Sequence, residues 1–180
     1  MDTNNVHKIF MITKQQKMKE LYQKNILDFL MLQRNKPYIW GNVGPDSFDC
    51  SGLTKYIYQE LFNINIEENG YGIGDTTKQM TSPVGTLKKY IENDSHKKKY
   101  IKELEIGDLL FFHRQSLNDT TPTPSNRYPG HVGIYIGENQ FIHASSDEEK
   151  VVITSLNDYW LNRLVGSKNI LNTLIITTEL

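Results

Sequence analysis

Three side chains have types and positions that suit nucleophilic catalysis: Cys50, His131 and His143. Cys50 is the single cysteine of the chain, and it stands where a helix is predicted to begin. A thiol attacks as its thiolate, and both the positive end of a helix macrodipole and a neighbouring imidazole favour that form. We therefore predict that Cys50 is a nucleophile with a lowered thiol pKa and that one of the five histidines is its base.

The two candidate imidazoles lie on a predicted hairpin. One β-rich run begins at His131, the next contains His143, and the turn-forming residues 137–139 separate them. A three-residue loop would place His143 opposite Gly133 and on the same face as His131, with the two backbones roughly 7–8 Å apart. A two-residue loop would place the imidazoles on opposite faces, so the site requires the longer loop or a β-bulge. On that condition His131 is the base and His143 orients it.

Other polar and aromatic side chains near this set admit more than one interpretation. The backbone N–H of Cys50 and the hydroxyl of Tyr38 are candidate donors to an oxyanion, although Tyr38 could equally be a packing aromatic. His113 ends a predicted strand without a partner in the pattern and is interpreted as structural. His7 and His96 are interpreted as surface residues.

A metal site is the alternative chemistry for one cysteine and two histidines. Zinc with a water in the fourth position would fit those ligand types. The sequence, however, contains no HExxH and no CxxC spacing, and its glycine-rich segment 70–74 lacks the Lys-Ser/Thr of a phosphate-binding loop. We therefore expect neither a metal nor another cofactor.

The hydrophobic periodicity predicts helices first and strands afterwards. Apolar positions at three-and-four spacing indicate an amphipathic helix over 14–34, and a second helix begins near Cys50 with Asp49 or Ser47 as its cap. A short helical piece is expected over 76–80. Strands are predicted at 109–112, 131–136, 140–144, 151–153 and 174–176. This order favours an α+β fold in which N-terminal helices, including the one that starts at the nucleophile, pack on an antiparallel sheet.

Length and charge limit the possible classes of function. The 180 residues suffice for one domain, which we place at 14–180 after an N-terminal extension at 1–13. A formal net charge of −1 argues against a nucleic-acid partner held by a basic field. The sequence contains no run of about eighteen apolar residues, so no membrane span is expected. A single cysteine excludes an internal disulfide framework.

A series of segments, in chain order, resembles the NlpC-type family of cell-wall cysteine peptidases. The segments are Tyr38-Ile39-Trp40-Gly41, Phe48-Asp49-Cys50-Ser51-Gly52-Leu53, Ile106-Gly107-Asp108-Leu109-Leu110-Phe111-Phe112, His131-Val132-Gly133-Ile134-Tyr135-Ile136-Gly137, Phe141-Ile142-His143-Ala144, and the closing Tyr159-Trp160, Arg163 and Val165-Gly166. Together they extend over about residues 20 to 172. Several motifs in one order are far more specific than any of them alone.

This resemblance implies a papain-like core with Cys50 as the nucleophile, His131 as the base and His143 as the polar third member. The residues that it implies hold the free amino end of the substrate are Tyr38, Asp49 and Ser51. Members of the family usually cleave peptidoglycan stem peptides, commonly between γ-D-glutamate and the diamino acid that follows. The expected function is therefore that of a cysteine endopeptidase whose partner is a peptidoglycan stem peptide. Separately, we expect the protein to be a monomer.

Two features depart from the pattern of that family. The family often has a Pro-Arg pair before a Ser/Thr-x-x-Gln segment, whereas residues 74–79 of this chain are Gly-Asp-Thr-Thr-Lys-Gln. A carboxylate of the substrate would then need another cation, for which Lys78 and Arg127 are candidates. The loop between Phe112 and His131 is long and contains prolines, and we expect it to reshape the cleft or to cover it.

Several other functions fit the same residues. A muramoyl-alanine amidase or an acyl transferase would use the same triad on a different bond. A wall-binding or immunity module would keep the fold without turnover. The N-terminal residues lack the apolar segment of a signal peptide, so we expect the protein to act at the cell wall after lysis, phage delivery or specialised secretion.

Overall fold

The structure, a computed structural model, describes residues 3–67, 75–89, 100–113 and 129–177. Its helices are α1 (Thr3–Met31), α2 (Cys50–Phe62), α3 (Thr76–Thr81), α4 (Asp158–Leu161) and α5 (Leu171–Thr177). Its strands are β1 (Thr86–Lys89), β2 (Leu109–His113), β3 (Pro129–Gly137), β4 (Gln140–Ser145), β5 (Lys150–Ser155) and β6 (Leu164–Asn169).

The strands form one antiparallel sheet in the order β1-β6-β2-β3-β4-β5. Helix α2 packs on β3 and β4, which lie next to each other in that order, and α1 packs against α2. The predicted α+β class is confirmed, because the helix that starts at Cys50 lies on an antiparallel sheet.

The central strand β2 is buried on both of its faces. Leu109 and Phe111 belong to the main core, together with apolar side chains of α1 and α2. Leu110 and Phe112 point the other way, into a second cluster that includes Phe141 of β4. Because side chains alternate along a strand, a continuous apolar run of this kind needs cover on both sides of the sheet. The middle of the sheet is therefore a well-packed support for the residues at its strand ends.

Helix α1 is longer than the amphipathic pattern predicted. The helix expected over 14–34 begins at Thr3 and ends at Met31, and the chain has neither glycine nor proline between those residues to stop it. Ile26 and Leu30 are buried as the spacing required, whereas Leu21, predicted to widen the apolar side, is 54% exposed. The helix continues through the predicted boundary between 13 and 14, and that division of the chain stays a prediction.

Helix α2 starts where the sequence predicted, with Asp49 as its N-cap. One Asp49 carboxylate oxygen accepts the backbone N–H of Gly52 at 2.6 Å, and the other accepts that of Gly41 at 2.9 Å. The carboxylate therefore ties the preceding loop to the first turn of the helix. The loop also packs directly on that turn, because a Cβ at Gly52 would lie 2.1 Å from the carbonyl oxygen of Asn42.

The β3–β4 hairpin has the register that the predicted site requires. Ile134 pairs with Ile142 and Tyr135 pairs with Phe141, but a register shift follows before Gly137 pairs with Gln140. The connection is thus a two-residue turn with a β-bulge, which was the alternative to a three-residue loop. Its left-handed backbone runs through 137–139, with φ of 93° at Gly137.

The last elements of the chain differ from the prediction. The strand predicted over 174–176 is wrong, because these residues belong to helix α5, where Leu171 and Ile175 are buried four positions apart. The closing strand is instead β6, which pairs between β1 and β2. Strands β1 and β6 contain few β-branched side chains, and only pairing with distant residues makes them strands.

We predict that Gly133→Ala will destabilise the hairpin. The added Cβ would lie 2.7 Å from Cδ2 of Phe141 and 3.2 Å from Cβ of His143, so β3 and β4 would have to move apart. The free energy of unfolding should fall by about 1–3 kcal/mol, the usual cost of overpacking. Urea unfolding of the two proteins measures the difference, and an unchanged midpoint would contradict the close approach.

Candidate active site

A cleft of about 780 Å³ contains the three residues predicted to do chemistry. Its described lining consists of Tyr38, Trp40, Cys50, His113, Gly130, His131, His143, Ser145, Ser146, Asp147, Tyr159, Trp160 and Arg163. These residues come from the loop before α2, the start of α2, strands β2 to β4, the turn after β4 and the segment around α4. A cleft of this size and mixed polarity is typical of a ligand-binding site.

The predicted nucleophile, Cys50, is the first residue of α2 and is only 8% exposed. Burial raises the pKa of the Cys50 thiol, and the nearby Asp49 carboxylate raises it further. Hydrogen bonds with the backbone of Val132, the side chain of Thr76 and the backbone of Ser51 act in the opposite direction but are outweighed. The lowered thiol pKa predicted from the helix start is therefore wrong for the resting protein, whose thiol is neutral at pH 7.

The imidazoles of His131 and His143 are hydrogen-bonded to each other. Nε2 of His131 lies 2.9 Å from Nδ1 of His143, and Nε2 of His143 lies 3.0 Å from Oγ1 of Thr154. Nδ1 of His131 is the one nitrogen of the two rings outside these hydrogen bonds, and it is an acceptor when Nε2 carries the proton of that ring. In that tautomer His131 donates to His143, which donates to Thr154, so one chain of hydrogen bonds fixes both rings.

Aromatic rings enclose these imidazoles. The Trp160 ring lies 5.6 Å from that of His131 and 5.3 Å from that of His143, and Phe141 stacks on His143 at 4.8 Å. Burial lowers the pKa of His131 to about 4, although the Asp147 carboxylate acts in the opposite direction. Burial, and then the charge of His131, lowers the pKa of His143 to about 3. Both imidazoles are therefore neutral at pH 7.

A neutral thiol and a neutral imidazole can react by transferring the proton during attack. Each charge alone is disfavoured by burial, but moving the proton from Cys50 to His131 produces two opposite charges in one cleft. Their attraction is stronger in surroundings of low dielectric constant than in water. The arrangement therefore suits general-base activation of the thiol at the moment when it bonds to a substrate.

The residues predicted to hold the amino end of a substrate have different environments. Tyr38 lines the cleft. Asp49 and Ser51 are buried, and the Ser51 hydroxyl donates to the Asp49 carboxylate at 3.1 Å. Neither belongs to the described lining of the cleft, and the two Asp49 oxygens already accept hydrogen bonds from the protein. The contact of these three residues with substrate stays a prediction.

A buried polar network holds α3 against the start of α2. The Gln79 amide donates to the Ser51 carbonyl at 2.8 Å and to the Glu67 carboxylate at 2.9 Å, and it accepts from the hydroxyl of Thr54 at 2.7 Å. Glu67 also lies 3.2 Å from the ammonium group of Lys55. Every polar atom of the Gln79 side chain thus has a partner, which is what makes such burial tolerable. The network fixes the helix that brings Thr76 to the thiol.

Several lining residues were not identified as functional from the sequence. His113, interpreted as structural, lines the cleft, and its buried Nδ1 has no hydrogen-bond partner within the described ranges. Asp147 follows β4, and no sequence motif indicated a functional role for it. Tyr159 and Arg163 belong to the closing segment of the resemblance, which could have indicated them.

Other predictions concern residues beyond this lining. His7 is exposed, as expected, and Lys78 is exposed on α3 and does not line the cleft. The predictions for His96, for Arg127, for the glycine-rich segment 70–74 and for the loop residues 114–128 lie outside the described residues. In the part of the chain that the structure describes, no group of three or more His, Cys, Asp or Glu side chains is placed to hold a metal ion. None of the described helices combines the length and the apolar character needed to cross a bilayer.

Comparison with known families gives a match over most of the chain. The model of the NlpC/P60 family matches residues 35–169, a range that holds Cys50, His131, His143 and the elements that carry them. The chain belongs to the NlpC/P60 family. The resemblance inferred from the motifs is thereby confirmed.

Individual members of the family show the same relationship. The chain is 32% identical over 153 residues to the murein DD-endopeptidase MepH of Escherichia coli, an alignment that covers 82% of this chain and 46% of that protein. It is 26% identical over 146 residues to the gamma-DL-glutamyl hydrolase of Bacillus subtilis, with 77% and 27% covered. The solved structure of NlpC2 from Trichomonas vaginalis superposes with a TM-score of 0.58 at 26% identity, with 83% and 46% covered.

These comparisons define the fold and its extent. The likeness to the NlpC/P60 structures confirms the predicted papain-like α+β class. The chain spans less than half the length of each of the three relatives named above.

We predict that the reactivity of Cys50 towards iodoacetamide will rise steeply with pH. Because burial raises the pKa of the thiol, the thiolate fraction should be below that of a free cysteine at pH 7 and should increase about tenfold for each pH unit below the pKa. Cys50 is the only cysteine, so mass spectrometry of the intact chain reports this site alone. A rate that is already maximal at pH 6 would reveal a stable thiolate and contradict the neutral resting pair.

Proposed function

We propose that this NlpC/P60 domain is a cysteine endopeptidase that hydrolyses an amide bond in peptidoglycan stem peptides. One observation carries the proposal. A single cleft is lined by Cys50, at the start of a helix, and by the imidazoles of His131 and His143, which are hydrogen-bonded to each other. The name of one relative, the murein DD-endopeptidase MepH, supports the substrate class, since murein is peptidoglycan.

In the proposed acylation, the sulfur of Cys50 bonds to the amide carbonyl carbon while its proton passes to Nδ1 of His131. The oxyanion accepts hydrogen bonds from the backbone N–H of Cys50 and from the hydroxyl of Tyr38. The C–N bond then breaks, and the leaving amine takes the proton from His131. His143 and Thr154 keep the ring of His131 in one tautomer and one orientation throughout these steps.

In the proposed deacylation, a water molecule replaces the departed amine. His131 removes one proton from the water, and the oxygen bonds to the thioester carbon. The C–S bond breaks, and the sulfur of Cys50 recovers its proton from His131. The products are a carboxylic acid and an amine, and the residues return to their neutral starting states.

The bond that we propose lies between γ-D-glutamate and the diamino acid that follows. Family resemblance supports this choice, and so does the glutamyl hydrolase among the relatives. Tyr38, Asp49 and Ser51 are proposed to hold the free amino end of the stem peptide. Asp147, an exposed carboxylate in the cleft lining, adds negative charge that suits an ammonium group.

We predict that Cys50→Ala will abolish cleavage of purified muropeptides. Removing the nucleophile should lower kcat by about a thousandfold or more, because the remaining groups provide only orientation and oxyanion contacts. Chromatography with mass analysis of the products measures the loss, and circular dichroism shows whether the variant is folded. Full activity of the folded variant would eliminate Cys50 as the nucleophile.

The same product analysis separates the alternative functions. Cleavage after γ-D-glutamate releases a peptide that begins with the diamino acid, whereas a muramoyl-alanine amidase releases a peptide that begins with alanine. An acyl transferase gives a product joined to a second amine. A wall-binding or immunity module gives no product with the wild-type chain.

We predict that Thr154→Val will slow the same reaction without removing any proposed catalytic group. The substitution keeps the shape of the side chain but deletes the hydroxyl that holds Nε2 of His143. The expected loss in kcat is about threefold to tenfold, the value of one hydrogen bond. Thr154→Ser should restore most of the rate, and equal rates for the valine and serine variants would show that the hydrogen bond does not matter.

A further inference from the structure

Arg163 is held at the wall of the cleft between α4 and β6. Its guanidinium carbon lies 3.5 Å from the centre of the Tyr159 ring, and the guanidinium donates to the Tyr159 carbonyl at 2.9 Å. The Arg163 carbonyl accepts the backbone N–H of His113, the last residue of β2, at 2.8 Å. The backbone of Arg163 is thus fastened to the sheet, and its side chain is stacked in a defined position.

The charges of the cleft single out this residue. Among the described residues of the lining, Arg163 has the only permanently cationic side chain, and Asp147 has the only carboxylate. His131 and His143 add no charge at pH 7, because burial lowers the pKa of each imidazole. Of the described lining residues, Arg163 is therefore the one whose charge attracts an anionic group of a ligand.

A guanidinium is well suited to recognise a carboxylate. Its planar fork matches the two carboxylate oxygens, and the several N–H donors let one group hold a backbone carbonyl and a ligand together. Stacking on Tyr159 restricts the side chain before a ligand arrives, so less conformational entropy is lost on binding. Lys78, the other described candidate for this role, lies outside the described lining.

We propose that Arg163 binds the free α-carboxylate of the γ-D-glutamyl residue beside the scissile amide. The inference rests on the proposed function, because it takes the substrate from there. A γ-linked glutamyl residue keeps its α-carboxylate unblocked a few bonds from the reacting carbonyl. Arg163 then supplies the cation that the segment before Thr76 lacks, and it makes the enzyme selective for stem peptides with that carboxylate free rather than amidated.

Binding to the Cys50→Ala protein tests this assignment without turnover. The probes are the tripeptide L-Ala-γ-D-Glu-L-Lys and the same peptide with the glutamyl α-carboxylate converted to an amide, each titrated by calorimetry at pH 7. The acid should bind about 10- to 100-fold more tightly than the amide, as charge-assisted hydrogen bonds allow. Adding Arg163→Gln should remove the difference by weakening the acid, while the affinity for the amide stays within about twofold.

Two further variants sharpen the test. Arg163→Lys keeps the charge but loses the planar fork, so it should retain only part of the preference for the acid. Arg34→Gln is the matched control, because Arg34 is an exposed arginine that does not line the cleft, and it should leave both affinities unchanged. The affinity for the amide also reports whether each variant is correctly folded.

Three results would overturn the inference. Arg163→Gln could weaken the binding of both peptides equally, it could leave the preference for the acid undiminished, or the Cys50→Ala protein could bind neither peptide. A failure of the proposed function gives a different result. In that case the wild-type protein would leave the γ-D-glutamyl bond of muropeptides intact. The Cys50→Ala protein would still bind the acid peptide more tightly than the amide, and that preference would still depend on Arg163.

Discussion

The register of the β3–β4 hairpin determines which face of the sheet carries the two imidazoles. A slip of one residue would turn His143 to the opposite face and end its bond with His131, because side chains alternate along a strand. The bulge beside Gly137 keeps the pairing of Ile134 with Ile142 across a two-residue turn. Strand β5, which presents Thr154, and helix α2 both pack against this hairpin, so the geometry of the candidate site depends on the same register.

The carboxylate of Asp49 connects local structure to chemistry in two opposing ways. It caps α2 and fastens the preceding loop, which puts Cys50 at the first position of the helix. A helix start by itself favours a thiolate. The same carboxylate, however, lies close enough to raise the pKa of the thiol, and burial of Cys50 acts in the same direction and more strongly. The carboxylate that meets the structural requirement for a cap therefore does not lower the pKa of the thiol, and in the proposed mechanism the activation comes from His131 instead.

Sequence patterns predicted the parts of this molecule that depend on local chemistry. Capping and periodicity predicted the start of α2. The turn residues predicted the hairpin and the need for an extra residue in it, which the structure has as a β-bulge. The strands β1 and β6 could not be predicted, since each is a strand only through pairing with distant residues. The buried Lys168 of β6 also depends on distant partners, because its ammonium group donates to the carbonyls of Gln79 and Ser82. For the cleft, the sequence predicted that Cys50, His131 and His143 lie together. The charges of its described lining were not predicted, because only the path of the chain after β4 places Asp147 and Arg163 at the cleft.

Burial of the reactive pair explains why the site needs such complete support around it. A thiol and an imidazole that are both neutral can remain in apolar surroundings without the desolvation cost of a permanent ion pair. In the proposed reaction the charges appear only when the proton moves, and His143 and Thr154 hold the ring of His131 in position before that step. No reorganisation of these groups is then required as charge develops, which is the condition under which fixed dipoles are most effective. The rings of Trp160 and Phe141 pack against the imidazoles, and the burial that lowers the pKa values of these imidazoles would also strengthen the attraction between the two charges of the proposed reaction.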